Sequence, residues 1–409
     1  MTATSFPKSE IKVLLLENIH PSAHEIFRAE GFQIESLSKA LPPEQLAAKL
    51  ADGVHLLGVR SKTQVPPEAL EGARRLLAVG AFCIGTNHLA LGAANGRGVP
   101  VFNAPFSNTR SVAELVIAEI VMLARQLGDR VREMHGGEWK KTAASAYEVR
   151  GKTLGIVGYG HIGSQVGVLA EAMGMRVLTY DIRSTMPIGN ARAVDSLGKL
   201  LEASDFVTLH VPETPQTKGM IGAAELAEMR DGAYLLNISR GTVVDLDALA
   251  DALRRKKLGG AALDVYPVEP ESNSMGFETP VRGLPNVILT PHIGGSTEEA
   301  QAAIGREVAA ALVKFVNGGA TTGSVNFPHV ELPALAGAHR ILNAHKNVPG
   351  VLRDITRIVS EKNANVVAQV LATDPNVGYL VMDLEEEVAV DVYQAIAALE
   401  TSIKTRILY

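Results

Sequence analysis

The segment Leu154–Gly163, LGIVGYGHIG, decides the fold. Leu154, Ile156 and Val157 read as a buried strand. Gly158-Tyr159-Gly160-His161-Ile162-Gly163 then turns as a G-x-G-x-x-G into a helical pattern from Gln165 to Met173. A second strand, Arg176–Asp181, ends on an acid. Together these parts make a dinucleotide cradle. Gly158 permits the tight turn, Gly160 lets backbone approach a pyrophosphate, and Gly163 lets helix and strand pack closely. The unpaired N–H groups and the dipole of the helix N-terminus favour phosphate there. Asp181, at the spacing of roughly twenty residues, can accept hydrogen bonds from the ribose hydroxyls. A glycine turn with only a packing role is the alternative for the bare motif; strand, helix, second strand and terminal Asp in sequence favour the dinucleotide.

The same alternation continues on both sides. Downstream, strands at Phe206–Val211, Ala233–Ile238, Gly260–Val265 and Asn286–Thr290 alternate with helices at Leu197–Ala203, Ala223–Met229 and Val244–Lys257. Upstream, strands at Lys12–Leu16, Phe32–Glu35, Val54–Val59, Leu76–Phe82 and Pro100–Phe102 alternate with helices, several opened by Pro. Both halves predict doubly wound parallel sheets with right-handed connections, and only the second carries a G-x-G-x-x-G. Ser111–Gln126 reads as a long helix, Asp129–Lys141 as a charged, solvated connector holding the single Trp, and Glu298–Asn317 as another long helix. Gly319–Pro333 reads as a linker. Beyond it the order strand Arg340–His345, helix Gly350–Glu361, strands Asn365–Thr373 and Tyr379–Glu385, helix Val388–Leu399 and strand Ile403–Leu408 is the ferredoxin-like βαββαβ. The expected class is α/β: two Rossmann-like domains and a small ferredoxin-like one.

Composition narrows the function. A chain of 409 residues needs two or three domains. A net charge of −5 without a basic block argues against nucleic acid. The single cysteine, Cys83, rules out an internal disulfide or a cysteine-cluster metal site and suits a reducing cytosol. The opening MTATSFPKSE has no apolar run of a secretory signal, and the apolar stretch Leu115–Ala124 is broken by Glu119 and too short for a bilayer. A soluble, cytoplasmic protein with no metal is the expectation.

Ligands of open parallel sheets bind beyond the carboxyl ends of the strands, so the residues there are candidates for chemistry. His292, in Pro291-His292-Ile293-Gly294-Gly295, has the side chain best matched to acid/base work near neutrality; the alternative is a histidine that caps its loop. Arg240, in Asn237-Ile238-Ser239-Arg240-Gly241, can hold a carboxylate bidentately or pair with a surface acid. Glu269, in a proline-fixed Val268-Glu269-Pro270, can orient an imidazole or be a solvated loop acid.

GIVGYGHIG, LLNISRG, ALDVYPVEP and TPHIGGST together resemble the D-isomer-specific 2-hydroxyacid dehydrogenase family over the first 330 residues or so. The resemblance implies that Arg240, Glu269 and His292 are the catalytic set. It assigns NAD to Gly158, Gly160, His161, Ile162, Gly163, Asp181, Ile238, Ser239, Arg240, Asp264, His292, Ile293, Gly294 and Gly295. It also implies an inserted NAD domain (residues 109–295), a discontinuous substrate domain (1–108 and 296–332) and a cleft between them. With its tail the chain is similar to the serine-inhibited bacterial branch of the family, which acts on a phosphorylated 2-hydroxy acid. That implies Arg60, Ser61 and Asn108 at the substrate and a homotetramer. Lys141 either adds positive charge from a partner subunit or is an ordinary surface lysine, and Trp139, beside lysines, either packs over a neighbouring element or inserts into a partner. Residues 333–409 resemble an ACT domain, in which His345, Asn347 and Asn365 would hold L-serine. Another 2-hydroxyacid dehydrogenase, of the glyoxylate or hydroxypyruvate reductase type, and an NAD-sensing corepressor are the rival readings.

Overall fold

The computed structural model describes residues 6–183, 186–270, 276–335, 337–385 and 389–408. The start of the N-terminal stretch and Val388 lie outside them. The chain forms two compact units, residues 1–107 with 301–409, and residues 108–300.

The first unit begins with β1 (Lys12–Leu15), α1 (Pro21–Ala29), β2 (Gln33–Ser36), α2 (Pro43–Ala51), β3 (Leu56–Val59), α3 (Pro67–Glu71), β4 (Ala78–Ala81), α4 (Leu91–Asn95) and β5 (Val101–Asn103). The strands make a parallel sheet in the order β2-β1-β3-β4-β5. The apolar runs of β1, β3, β4 and β5 are buried on both faces, the pattern that covered parallel strands require, while the edge strand β2 is largely exposed. Proline opens the first turn of α1, α2 and α3, where its missing N–H costs nothing.

The second unit holds α5 (Thr109–Ala124), α6 (Leu127–His135), β6 (Thr153–Val157), α7 (His161–Ala172), β7 (Arg176–Tyr180), β8 (Arg192–Ala193), α8 (Leu197–Ala203), β9 (Phe206–Leu209), α9 (Ala223–Glu228), β10 (Ala233–Asn237), α10 (Leu246–Arg254), β11 (Leu258–Leu263) and β12 (Val287–Leu289). Its sheet runs β12-β11-β10-β9-β6-β7-β8, all parallel. The order reverses between β6 and β9, the switch point at which such sheets open a ligand crevice.

Helix α11 (Glu298–Gly318) belongs to the first unit from Gln301 onward. It packs Ile304, Val308, Leu312 and Phe315 into the core shared with β1, β3 and β5. The tail is β13 (His339–Lys346), α12 (Val351–Glu361), β14 (Val366–Thr373), β15 (Val377–Leu384), α13 (Ala389–Ala397) and β16 (Ser402–Leu408), an antiparallel sheet in the order β14-β15-β13-β16. Its two helices bury Val351, Ile355, Val392 and Ile396 against Ile341, Leu380 and Met382. Leu342, Ala344, Val377, Tyr379 and Val381 instead join the apolar cluster of Phe102, Val308 and Phe315. A buried ion pair anchors this face. Arg340 meets Asp383 at 2.6 Å and spends its remaining N–H groups on the carbonyls of Gly318, Leu332 and Pro333.

Three details depart from the sequence reading. The charged connector is in part helix α6, begun by Gln126 in a left-handed turn and supported by Arg130–Glu133 and Asp129–Arg132 pairs. The expected linker is packed: Thr321, Ser324, Phe327 and Val330 are buried, and the Thr321 hydroxyl donates to the Pro328 carbonyl at 2.6 Å. The two-residue strand β8 carries too short a pattern to be seen in advance. Among the described residues no helix is long and apolar enough to cross a membrane.

Candidate active site

The glycine turn closes as its sequence requires. Gly158 follows β6 at φ 91°, and a Cβ there would sit 2.8 Å from the carbonyl of His210 beyond β9. A Cβ on Gly163 would fall 2.3 Å from the Gly158 carbonyl oxygen, so only glycine lets α7 lie so close to the strand. Nothing lies within 4 Å of a Cβ built on Gly160, which leaves the N-terminus of α7 open to a pyrophosphate. Asp181 follows β7; its carboxylate accepts the N–H groups of Tyr159 (2.8 Å) and Arg183 (2.9 Å). Each oxygen keeps a lone pair for a ribose hydroxyl. These residues fit a dinucleotide.

The loops after β10, β11 and β12 interlock. Asn237, fully buried at the end of β10, accepts from the Ser239 N–H and hydroxyl and donates to the Arg240 carbonyl at 3.0 Å, which folds Ile238–Arg240 into a turn. Gly241 follows. A Cβ on it would lie 1.9 Å from the carbonyl carbon of Tyr266, so the Arg240 turn rests directly on the backbone leading to Glu269. The Tyr266 hydroxyl lies 2.9 Å from the Leu263 carbonyl oxygen and 3.0 Å from that of Thr290, and its N–H donates to Glu269. Asp264 is buried beneath the next loop. It accepts the Thr290 hydroxyl at 2.6 Å and the N–H groups of Ile293 and Gly294, each at 2.8 Å. The loop so held carries His292 at φ 53°, an uncommon conformation for a residue with a Cβ. His292 Nδ1 stands 2.8 Å from Glu269 Oε2.

Electrostatics agree with this geometry. The hydrogen bond to Glu269 raises His292 above the usual imidazole value; burial and Arg240 oppose it, and the charges of Glu269 and Asp264 assist. Burial pushes Glu269 up, but His292, the Tyr266 N–H and Arg240 outweigh it and hold the carboxyl below its ordinary range. With Nδ1 engaged, Nε2 of the half-exposed imidazole is the nitrogen left for proton transfer. Arg240 donates one N–H to the Ser239 carbonyl at 2.7 Å. A base, its orienting carboxylate and a guanidinium thus stand on adjoining loops.

Other predicted residues are dispersed. Asn108 precedes α5 with its side-chain amide against Gly295, so it joins the His292 loop. Arg60 and Ser61 belong to the first unit, on a loop held from below by Glu17. That residue, itself at φ 66°, accepts the N–H groups of Arg60, Lys62 and Thr63 at 3.1, 3.0 and 2.9 Å. In the tail, His345 is buried with Nδ1 3.0 Å from Asn343, and Asn347 donates to the Asp374 carbonyl at 2.7 Å. Asn365 is not brought to them. His345 pairs with Gly378 while Val366 pairs with Leu384, the opposite end of β15, about 20 Å away at the rise of a strand. Asn237, Tyr266 and Glu17 went unnoticed in the sequence; only Asn237, a polar residue closing the apolar run Leu235-Leu236, left a signal there.

Residues 117–294 match the family model described as D-isomer specific 2-hydroxyacid dehydrogenase, NAD binding domain, and residues 341–404 match the AHAS small subunit-like ACT domain. The chain belongs to the D-isomer specific 2-hydroxyacid dehydrogenase family and binds NAD. Within it, the chain is 56% identical to the D-3-phosphoglycerate dehydrogenase of Dictyostelium discoideum over 99% of both chains. It is 50% identical to that of Escherichia coli over the full length of both. Among solved structures, the TT0316 protein of Thermus thermophilus is 30% identical with a TM-score of 0.69, covering 77% of this chain and 100% of that one. A D-lactate dehydrogenase of Aquifex aeolicus, crystallised with NAD and lactic acid, is 28% identical with a TM-score of 0.64, over 74% of this chain and 95% of its own.

Proposed function

We propose that the chain oxidises 3-phospho-D-glycerate to 3-phosphooxypyruvate with NAD, the opening step of L-serine synthesis. The observation that carries this reading is the 2.8 Å contact of His292 with Glu269, in a chain alike over its whole length to proteins named for that reaction. His292 Nε2 takes the proton of the C2 hydroxyl, and Glu269 steadies the imidazolium that forms. Arg240 holds the substrate carboxylate and the oxygen that becomes the carbonyl. NAD, when bound, accepts the hydride released from C2 as that oxygen gives up its proton. Arg60, Ser61 and Asn108 are assigned to the substrate's anionic groups on resemblance. Asp181 favours NAD over a 2′-phosphorylated cofactor by its charge.

The proposed domains are a substrate domain of residues 1–108 with 296–332, an NAD domain of 109–295 and an ACT domain of 333–409. L-Serine is the proposed effector of the tail, through His345 and Asn347 of one chain and, given the register, Asn365 of another. A cytoplasmic homotetramer completes the proposal, with reduction of 2-oxoglutarate as a side activity whose second carboxylate replaces the phosphate. Initial rates of NADH formation with 3-phospho-D-glycerate and with D-glycerate test it. Preference for the phosphorylated acid supports the reading, preference for glycerate assigns a reductase of the glyoxylate or hydroxypyruvate type, and no turnover of either leaves the corepressor.

A further inference from the structure

Glu119 is the outlier of the second unit. It lies on α5, 1% exposed, with both carboxyl oxygens buried and neither of them hydrogen-bonded. The same helix buries Val112, Val116, Ile120 and Leu123, so the acid sits within an apolar face. Among the described residues, the elements packed against α5 bring no cation to it. The buried face of α7 is Gly163, Val166, Gly167 and Ala170, and β12 is Val-Ile-Leu. Helix α6 buries no residue, and its Arg130 and Arg132 pair with Glu133 and Asp129. The connection after β11 adds a second acid, Asp264, and the Tyr266 phenol, whose own proton is held more tightly because of burial and the charges of Asp264, Glu119 and Glu269.

Two buried carboxyl groups therefore act on each other electrostatically, and their partners differ. Asp264 has three donors, from Thr290, Ile293 and Gly294, and these stabilise a charge. Glu119 has none, and a buried anion without a partner near another is strongly disfavoured. The pair therefore divides into one anion and one neutral acid, the arrangement expected of close carboxyls in unlike surroundings.

We propose that Glu119 is a positioning residue for the NAD-binding loop: its neutral carboxyl leaves Asp264 as the lone anion that holds the backbone of Ile293 and Gly294 beside His292. Burial, with the charge of Asp264, pushes Glu119 up to about 8. Above that pH a second charge appears behind Asp264 and loosens the loop.

The test uses the full chain and the isostere that cannot ionise, Glu119→Gln. NAD affinity is titrated calorimetrically from pH 6.5 to 9.5, and infrared spectra follow the carbonyl stretch of protonated carboxyls over the same range. The parent should lose affinity about tenfold at pH 9 relative to neutral pH, while E119Q should stay level. The parent should also show a protonated-carboxyl band at pH 7 that bleaches near pH 8 and is missing from the variant. Parallel affinity curves for parent and variant, or no such band at pH 7, would overturn the proposal. The infrared titration of the parent decides the matter alone if E119Q fails to fold.

Discussion

Glu269 accepts a hydrogen bond from Nδ1 of His292 at 2.8 Å, while its other oxygen is tied to the Tyr266 N–H. The carboxylate is thus fixed before the imidazole leans on it. Glu269→Gln should lower kcat roughly ten- to a hundredfold, less than the ~10²–10⁴-fold that a general acid or base itself contributes, because the imidazole remains. It should also move the acidic limb of the kcat profile to lower pH, because the main influence raising His292 is gone. His292→Ala should lose a hundredfold or more. Steady-state rates from pH 5 to 10 check both. Stability follows the same pair. The depressed Glu269 contributes above the carboxylate range and loses that as pH falls through its lowered value; the raised His292 contributes below the imidazole range and loses that as pH rises through its raised value. The melting-temperature gap between parent and Glu269→Gln should be widest between those two ranges.

Asp264 serves the loop rather than the solvent. Asp264→Ala strips partners from the N–H groups of Ile293 and Gly294 and the Thr290 hydroxyl. Unsatisfied buried donors cost about 1–3 kcal/mol each, so the melting temperature should fall. KM for NAD should rise at least tenfold, read from initial rates at saturating hydroxy acid.

Removing one side of the Arg340–Asp383 pair leaves a charge stranded with 7% of its side chain exposed. Asp383→Ala should cost about 3–5 kcal/mol, measured by urea unfolding. Asp383→Asn, which keeps one acceptor, should lose less.

Asp181 is the residue proposed to meet the adenosine ribose. Asp181→Ser removes its charge while leaving Arg183 two residues on. The ratio of kcat/KM for NADP to that for NAD should climb at least tenfold, on the order of one lost charge contact, as measured with both cofactors.

His345 and Asn365 stand at opposite ends of one sheet. If all three effector residues hold one serine, each site draws on two chains. His345→Ala and Asn365→Ala should each abolish inhibition alone. Mixed assemblies of the two should regain half of the sites, since one of each pair keeps both partners intact. Serine inhibition of the mixture checks this; no recovery would confine the site to one chain.

Much of this was legible beforehand, for identifiable reasons. Parallel strands buried on both faces must be apolar throughout, so LGIVG, FVTL and AYLLN announce themselves, and the polar residues that close them stand out as chemistry. Helix α6 did not, because it leaves Leu127, Val131 and Met134 exposed among charges and buries nothing. The packed 319–333 segment has the composition of a loop and is held by Thr321 and Phe327, the latter against the ring of Tyr379, remote in sequence. Asp264 was expected among the NAD contacts; its bonds to the loop backbone arise only in three dimensions. The distance between His345 and Asn365 depends on strand register, which no local pattern encodes.

The face of the tail built from Ala344, Val377, Tyr379 and Val381 shares its core with Phe102 and Phe315. It is therefore not a detachable accessory. A chain cut short after α11 would open that shared core, beginning with Phe315, whose ring lies under Arg406 of the tail, and would expose apolar surface of the kind that drives aggregation. Shedding regulation by truncation would need compensating polar substitutions on the remaining body. If the tail regulates as proposed, the simpler route to an unregulated enzyme is to keep it and replace the residues proposed to hold the effector.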